Sequence, residues 1–436
     1  MDTSFSEMSQ SRARYTKKPV IFEIIEHVMP CTYIREYPRA TSTETDEVMH
    51  LAIKQYKLLS NPNPQPGDIT IIATHGSGLP KELYEPMFEE IVRKSESSKF
   101  KIRSIWIADA SHQGASRVLN EEKMGNDPSW FDHSRDLFQM VNYFSADMPR
   151  PLVGIGHSMG GAQLMHLAMI HPRLFRSMVL LEPITGECIN ACSGPTLTKL
   201  STFRRDLWLS RAEASMAARK TYKSWDPRVL DLWCKYGLRA LPTIIYPEVP
   251  KDATDAVTLT TTKHQEVMSY LRPNFRGMVA SGESPSDHLT RLTSPDLIGP
   301  PESIYPFYRA EPVIIHKALE SLRPSICYVF GSESPVSHPK MREEKMQRTG
   351  AGAGGSGGIE EDRVAEVLLN GHGHLIPMEA VEQCADAVTN WLDSEVDVWR
   401  RQDETMATGW TKKSQREKSM VSQEWILNLK SPQSKI

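Results

Sequence analysis

The stretch Pro151–Pro172 reads PLVGIGHSMGGAQLMHLAMIHP. A short apolar run, Leu152, Val153 and Ile155, is interrupted by Gly154 and Gly156 and leads into His157, Ser158, Met159, Gly160 and Gly161. Beyond it Leu164, Leu167 and Ala168, joined by Met165, recur at three- and four-residue spacing, which predicts a helix with one buried face. Strand, sharp glycine-flanked turn and helix is the context that gives G-x-S-x-G its meaning. The serine there sits on a strained corner, hydroxyl out of the sheet, at the positive end of a helix. Missing side chains at Gly156 and Gly160 let neighbouring backbones come close. Ser158 is the candidate nucleophile.

The five-residue pattern alone is weak. Gly354, Ser356 and Gly358 match it too, but in AGAGGSGG, with no apolar run before and no helix signal after, which reads as a flexible glycine loop. A sharper rival is a dinucleotide-binding turn, because Glu182 follows Gly160 by 182−160 = 22 residues, near the spacing of a ribose-binding acid. The glycine spacing is off by one, and several earlier strands precede the turn.

The 436 residues, 39% of them hydrophobic, suffice for a large core. A formal charge of −3 gives no sign of a nucleic-acid partner. No run of about 18 apolar residues predicts a membrane span, and the polar first twenty residues carry no secretory h-region. The six cysteines (31, 188, 192, 234, 327 and 384) are scattered. Cys188 and Cys192 lie close together, but no second pair or histidine cluster completes a zinc site, so reduced thiols are expected. Ser434-Lys435-Ile436 is a conservative variant of the S-K-L peroxisomal address, expected to engage an import receptor.

Along the chain, residues 1–18 read as disordered. Val20–Pro30 and Cys31–Tyr37 read as strands around a proline turn, and Val48–Leu58 as a third. Ile69–Thr74 is a compact apolar strand running into His75-Gly76-Ser77-Gly78, followed by a helical pattern over Leu79–Ser95 (Tyr84, Phe88, Ile91, Val92). Ile102–Ala108 is a buried strand before DASHQGAS. Trp130–Phe144 reads as amphipathic, with Phe131, Leu137, Phe138, Val141 and Tyr143 opposite His133, Arg135 and Asp136. Met178–Leu181 is a strand ending in Glu182-Pro183. This succession predicts an α/β fold with a mostly parallel sheet and helices on both faces. From 184 to 322 the rhythm breaks into a Trp-bearing helical stretch and a proline-punctuated segment, Pro242–Pro312, without a strong strand. That is the pattern of a cap inserted between core segments 19–183 and 323–398. Pro324–Phe330 and Val364–Leu369 resume the sheet, Met378–Val398 closes it, and 399–436 is a polar tail.

Serine chemistry needs a base, an acid to orient it and donors for the oxyanion, in chain order Ser, acid, His for this pattern. His374 lies after the last strand in a glycine-flanked loop, Asn370-Gly-His-Gly-His374-Leu-Ile-Pro377, and is favoured over His372. Two acids compete. Glu182 ends the strand after the nucleophile helix. Glu333 follows Gly331, but the aspartate common there sits three residues past the glycine, where this chain has Ser334. Glu182 is favoured. The backbone N–H groups of Ser77 and Met159 are the candidate oxyanion donors. A dinucleotide enzyme needs none of His75-Gly76, His374 or a cap, so the hydrolase reading is preferred.

The order HGSG, DASHQGAS, GHSMGG, GHGHLIP resembles the α/β-hydrolase superfamily. More narrowly, THGSGLPKELYEP, WFDHSRDL, MPRPLVGIGHSMGG, WDPRVLD, GGSGG and GHGHLIP resemble the fungal hydrolases of secondary-metabolite clusters, over about 20–397. That family takes in the mycophenolic acid peroxisomal acyl-CoA thioesterase and the AK-toxin-type hydrolases. The resemblance supports Glu182 over Glu333, with Asp in that thioesterase where this chain has Glu182 and Phe where it has Met159. It implies a peroxisomal serine hydrolase acting on an acyl-CoA thioester or carboxylic ester of a secondary metabolite, with no metal or redox cofactor. A general esterase or lipase, and an inactive hydrolase-fold binding protein, are the alternatives. A homodimer is compatible with the sequence, which does not itself report oligomeric state.

Overall fold

The computed structural model describes residues 20–43, 47–186, 194–253, 255–273, 296 and 307–430. The expectations for residues 1–18, for Cys188 and Cys192 and for Ser434–Ile436 lie outside these. Thirteen strands are described. Phe22–Pro30 (β1), His50–Leu58 (β2), Ile69–Thr74 (β3), Ile102–Ala108 (β4), Leu152–His157 (β5) and Phe175–Leu181 (β6) come first. Leu207–Trp208 (β7), Leu238–Ala240 (β8) and Val257–Leu259 (β9) form a small antiparallel sheet, and Arg272–Pro273 (β10) pairs with Phe307–Tyr308 (β11). Ser325–Gly331 (β12) and Val364–Leu369 (β13) complete an eight-stranded sheet of order β1-β2-β4-β3-β5-β6-β12-β13. In this sheet the β1–β2 and β2–β4 pairs are antiparallel, and β4, β3, β5, β6, β12 and β13 are parallel to one another.

The inner parallel strands β3, β5 and β12 are buried along their whole length, as a sheet covered on both faces requires, whereas the edge strand β13 is partly exposed. Ile71 and Ala73 of β3 face one layer while Ile72 faces the other, the two-residue alternation of a pleated strand. Glu85–Ser95 (α1) packs on the first face, and Gly114–Leu119 (α2) follows β4. Trp130–Tyr143 (α3) and Met159–Ile170 (α4) pack together on the second face. Between β6 and β12 lie Gly194–Phe203 (α5), Arg211–Thr221 (α6), Pro227–Tyr236 (α7), Lys263–Tyr270 (α8) and Glu311–Ala318 (α9). Pro339–Arg348 (α10), Ile376–Glu379 (α11) and Val381–Trp410 (α12) follow, α12 lying across α1.

Several elements differ from expectation. Cys31–Tyr37 is not a strand. Its backbone follows side-chain bonds instead, because Arg35 forks onto Asp136 (2.8 and 3.0 Å) and the Thr32 N–H also donates to that carboxylate. The same ion pair draws the polar side of α3 inward. His133 and Asp136 are buried, whereas Tyr143 is exposed. Val257–Leu259, inside the segment read as strandless, is the middle strand of the small sheet. The α4 residues are buried on more than one face, since α4 is packed between α3, the sheet and α9. The AGAGGSGG loop is folded by backbone bonds rather than free: Gly350 N–H donates to Leu319, Gly352 N–H to Glu320 and Ser356 N–H to Leu322.

Candidate active site

Ser158 occupies the corner between β5 and α4 with φ 55° and ψ −119°. Its N–H donates to Leu181 O at 2.9 Å, and the Ile184 N–H donates to its carbonyl at 3.3 Å. A non-glycine residue held at positive φ costs on the order of 1–3 kcal/mol and persists only where the surroundings fix it. The glycines are sterically required. A Cβ on Gly156 would stand 2.7 Å from Gly161 Cα, and one on Gly160 would stand 2.6 Å from His75 O.

The structure brings the three expected side chains together at the carboxyl ends of β5, β6 and β13. Ser158 Oγ lies 2.8 Å from His374 Nε2, and His374 Nδ1 lies 3.1 Å from Glu182 Oε2. An ionised carboxylate only accepts, so Nδ1 carries the proton and Nε2 faces the serine hydroxyl as acceptor. Glu182 is itself at positive φ, 51°, and is fully buried. Burial opposes its charge. The bond and charge of His374, with the Ser334 hydroxyl and the Gly331 N–H, outweigh that and hold the carboxyl below its ordinary range. Oε1 accepts from Gly331 N–H at 2.7 Å; Oε2 accepts from Ser334 Oγ at 2.5 Å and Ser337 Oγ at 2.9 Å.

The rival residues stand apart. Glu333 is exposed and has no bond to His374, and His372 lies near Gln383 rather than Ser158. Met159 and Ser77 line the same cleft as Ser158, and neither backbone N–H has an acceptor among the described residues. Met159 is the first residue of α4, whose N–H no helical carbonyl reaches.

A second layer was not apparent from the sequence. Gly76 N–H donates to Tyr84 Oη at 2.8 Å, Tyr84 Oη lies 2.7 Å from His157 Nδ1, and His157 Nε2 lies 3.1 Å from the His374 carbonyl. A carbonyl only accepts, so Nε2 of His157 carries its proton and Nδ1 accepts from the tyrosine. Burial, then the neighbouring His374, push the His157 pKa down to about 3, so the ring is neutral. This chain ties the His75-Gly76 loop to the loop that carries His374. In DASHQGAS, Gln113 Oε1 accepts from Gly78 N–H at 2.8 Å and its Nε2 donates to Ser77 Oγ at 3.1 Å, which fixes the other half of that loop. Tyr84 reads in the sequence as one more apolar residue on a helix face; only its phenolic oxygen could have hinted at the role.

Above Ser158 opens a cleft of about 620 Å³, within the range of small-molecule sites. Trp130, Tyr222, Trp225 and Trp233 line it, the last three from the segment between β6 and β12. Its polar wall includes the Arg204–Glu266 ion pair, with Ser201 and Tyr270 also bonded to Glu266. No cluster of three or more candidate metal ligands occurs among the described residues. No helix among them is long and apolar enough to cross a membrane.

Residues 71–387 match the alpha/beta hydrolase family model. Over 395 residues the chain is 40% identical to the type I acyl-CoA thioesterase mpaH of Penicillium brevicompactum, covering 87% of this chain and 89% of that one. Over 285 residues it is 30% identical to the abhydrolase domain-containing protein ACTT2-1 of Alternaria alternata, covering 65% of this chain and 99% of that one. Among solved structures, the peroxisomal alpha-beta-hydrolase Lpx1 of Saccharomyces cerevisiae superposes with TM-score 0.64 at 16% identity, over 86% of this chain and 90% of that one, a likeness of fold.

Proposed function

The chain belongs to the alpha/beta hydrolase family and is a hydrolase, and on that premise we propose that it cleaves an acyl-CoA thioester with Ser158, His374 and Glu182 as its catalytic triad. The observation that carries this reading is the continuous path of 2.8 and 3.1 Å from Ser158 Oγ through the His374 ring to Glu182. His374 Nε2 takes the hydroxyl proton as Ser158 Oγ attacks the acyl carbon. The tetrahedral oxyanion rests on the N–H groups of Ser77 and Met159, a contribution of several kcal/mol for such paired donors. The C–S bond breaks and the thiolate takes the proton from His374. Water, deprotonated by the same ring, then attacks the acyl-serine and releases the carboxylic acid and Ser158. Glu182 keeps the ring in the working tautomer and stabilises its cation.

Residues 184–322 act in this reading as a cap whose tryptophans enclose an apolar acyl or aromatic group of a secondary metabolite. Preference for thioester over ester is supported by the 40% identical thioesterase relative. Incubating the protein with a panel of acyl-CoAs and of p-nitrophenyl esters tests it. Thiol release that vanishes in Ser158→Ala supports the thioesterase; ester turnover without thiol release assigns a general esterase instead.

Peroxisomal action rests on Ser434-Lys435-Ile436, a conservative variant of the S-K-L tripeptide that addresses proteins to that organelle from a carboxyl terminus. A fluorescent fusion should be punctate with the tripeptide and cytosolic without it. Unchanged punctate targeting after the deletion contradicts the signal.

A further inference from the structure

Five arginines that take no part in the catalytic chemistry, Arg150, Arg173, Arg176, Arg323 and Arg363, line one cleft of about 260 Å³ together with Ser356. They stand at the amino-terminal ends of the parallel strands: Arg150 before β5, Arg173 and Arg176 around the start of β6, Arg323 before β12 and Arg363 before β13. Ser158, Glu182 and His374 follow the opposite ends of β5, β6 and β13. At about 3.3 Å per residue, strands of this length put the two sites roughly 20 Å apart.

The positive charge here is only partly answered. Arg363 makes a two-pronged ion pair with Glu395 at 3.0 Å on each side. Arg176 bonds the neutral Gln402, and Arg323 Nε donates to the Gly354 carbonyl at 3.1 Å. Arg150 and Arg173 are exposed and have no hydrogen-bond or ion-pair partner among the described residues. Burial, then Arg363 and Arg150, push the Arg176 guanidinium below its ordinary range, against the pull of Glu395 and Asp403. Its Nε is buried without a partner. The residues lining the cleft include five guanidinium groups and no carboxylate.

The glycine-rich loop contributes Ser356 to the wall, which Pro172, Phe175 and Gln402 complete. Gly350, Gly354, Gly357 and Gly358 all have left-handed φ, and the space around Gly354 is open. The backbone bonds described above hold the loop against Leu319–Leu322, which presents Ser356 to the arginines. Several forked guanidinium groups in one recess match the oxygens of phosphate better than a single carboxylate, because several cations need more than one negative charge.

We infer that this cleft binds a multiply charged phosphate group, carried by a free small molecule or by a lipid head group, at a site separate from the catalytic one. Titration calorimetry with sodium pyrophosphate, against sodium chloride at matched ionic strength, tests the free form. Flotation with phosphatidylcholine vesicles, with and without phosphatidylinositol 4-phosphate, tests the lipid form. The triple variant Arg150→Gln/Arg173→Gln/Arg323→Gln locates the site, and the single Arg173→Gln serves if the triple does not fold. The inference expects saturable binding in one arm, weakened roughly tenfold or more by the triple variant, with catalytic turnover unchanged. The responding arm identifies the source of the phosphate. Absence of saturable binding in both arms, or binding that the substituted arginines do not weaken, overturns it.

Discussion

Ser334 donates a 2.5 Å hydrogen bond to Glu182, although the two residues follow different strands, β12 and β6. Position 334 is where the acid of many serine hydrolases stands. Here a small hydroxyl fills that place and holds a carboxylate that arrives from the neighbouring strand, while Glu333 points to solvent. Glu182→Ala is expected to lower kcat by about 10³–10⁴-fold, the scale for loss of a triad acid, and Glu333→Ala to leave it unchanged. Steady-state kinetics of the two variants checks this. The double variant Glu182→Ala/Ser334→Asp should regain on the order of tenfold over Glu182→Ala, since the new carboxylate starts within hydrogen-bond reach of the old one.

Tyr84 and His157 join the His75-Gly76 loop to the loop that carries His374. Tyr84→Phe removes the acceptor for Gly76 N–H and the donor to His157 Nδ1, leaving two buried groups unsatisfied. About 1–3 kcal/mol per unsatisfied group is the general scale. The expected result is a fall of about tenfold in kcat with KM nearly constant, because the loops it joins carry the proposed oxyanion donor Ser77 and the proposed base His374. A rise in KM at unchanged kcat would mean that the tyrosine shapes the substrate pocket instead.

The serine corner and the strands around it were legible because each is local. Gly156, Ser158 and Gly160 must be adjacent in sequence to make that turn, and apolar runs such as Ile69–Thr74 mark strands buried on both faces. What stayed hidden depends on contacts far apart in the chain. Arg35 meets Asp136 across 101 residues, and that pairing both replaces a strand at Cys31–Tyr37 and buries one polar side of α3. Tyr84 and His157 are joined across 73 residues, and neither spacing nor hydropathy signals the bond. The choice between Glu182 and Glu333 likewise turns on which side chain points inward at a strand end.

Buried neutral histidines couple stability to pH. Burial, then His75, depress the His133 pKa to about 3, and neither ring nitrogen has a partner among the described residues. Above pH about 6.5 the ring is neutral in both states and contributes no pH dependence. As pH falls below that, the unfolded chain takes up the proton and the folded one does not, so stability declines until about pH 3. Between pH 7 and 5 this one residue should cost on the order of 2 kcal/mol. His133→Leu should flatten the fall of Tm over that interval, as measured by calorimetry; an unaltered slope would show that His133 does not carry it.

Between β6 and β12, Tyr222 stacks on Trp225 with ring centroids 4.3 Å apart, and both line the cleft with Trp233. Trp225→Ala should raise KM for bulky aromatic or long acyl-CoAs by about tenfold, from lost apolar burial, and leave acetyl-CoA little changed. Comparing KM across an acyl series checks it. An equal change for every chain length would place the acyl group elsewhere.

The most direct measurement is peptide mass spectrometry after treatment with a fluorophosphonate, which reports which side chain is nucleophilic and whether its neighbour makes it so. The expected result is a single adduct on the peptide that carries Ser158, formed at least about 10³-fold more slowly in His374→Ala. An adduct elsewhere, or labelling of Ser158 at the same rate without the imidazole, would contradict the assignment.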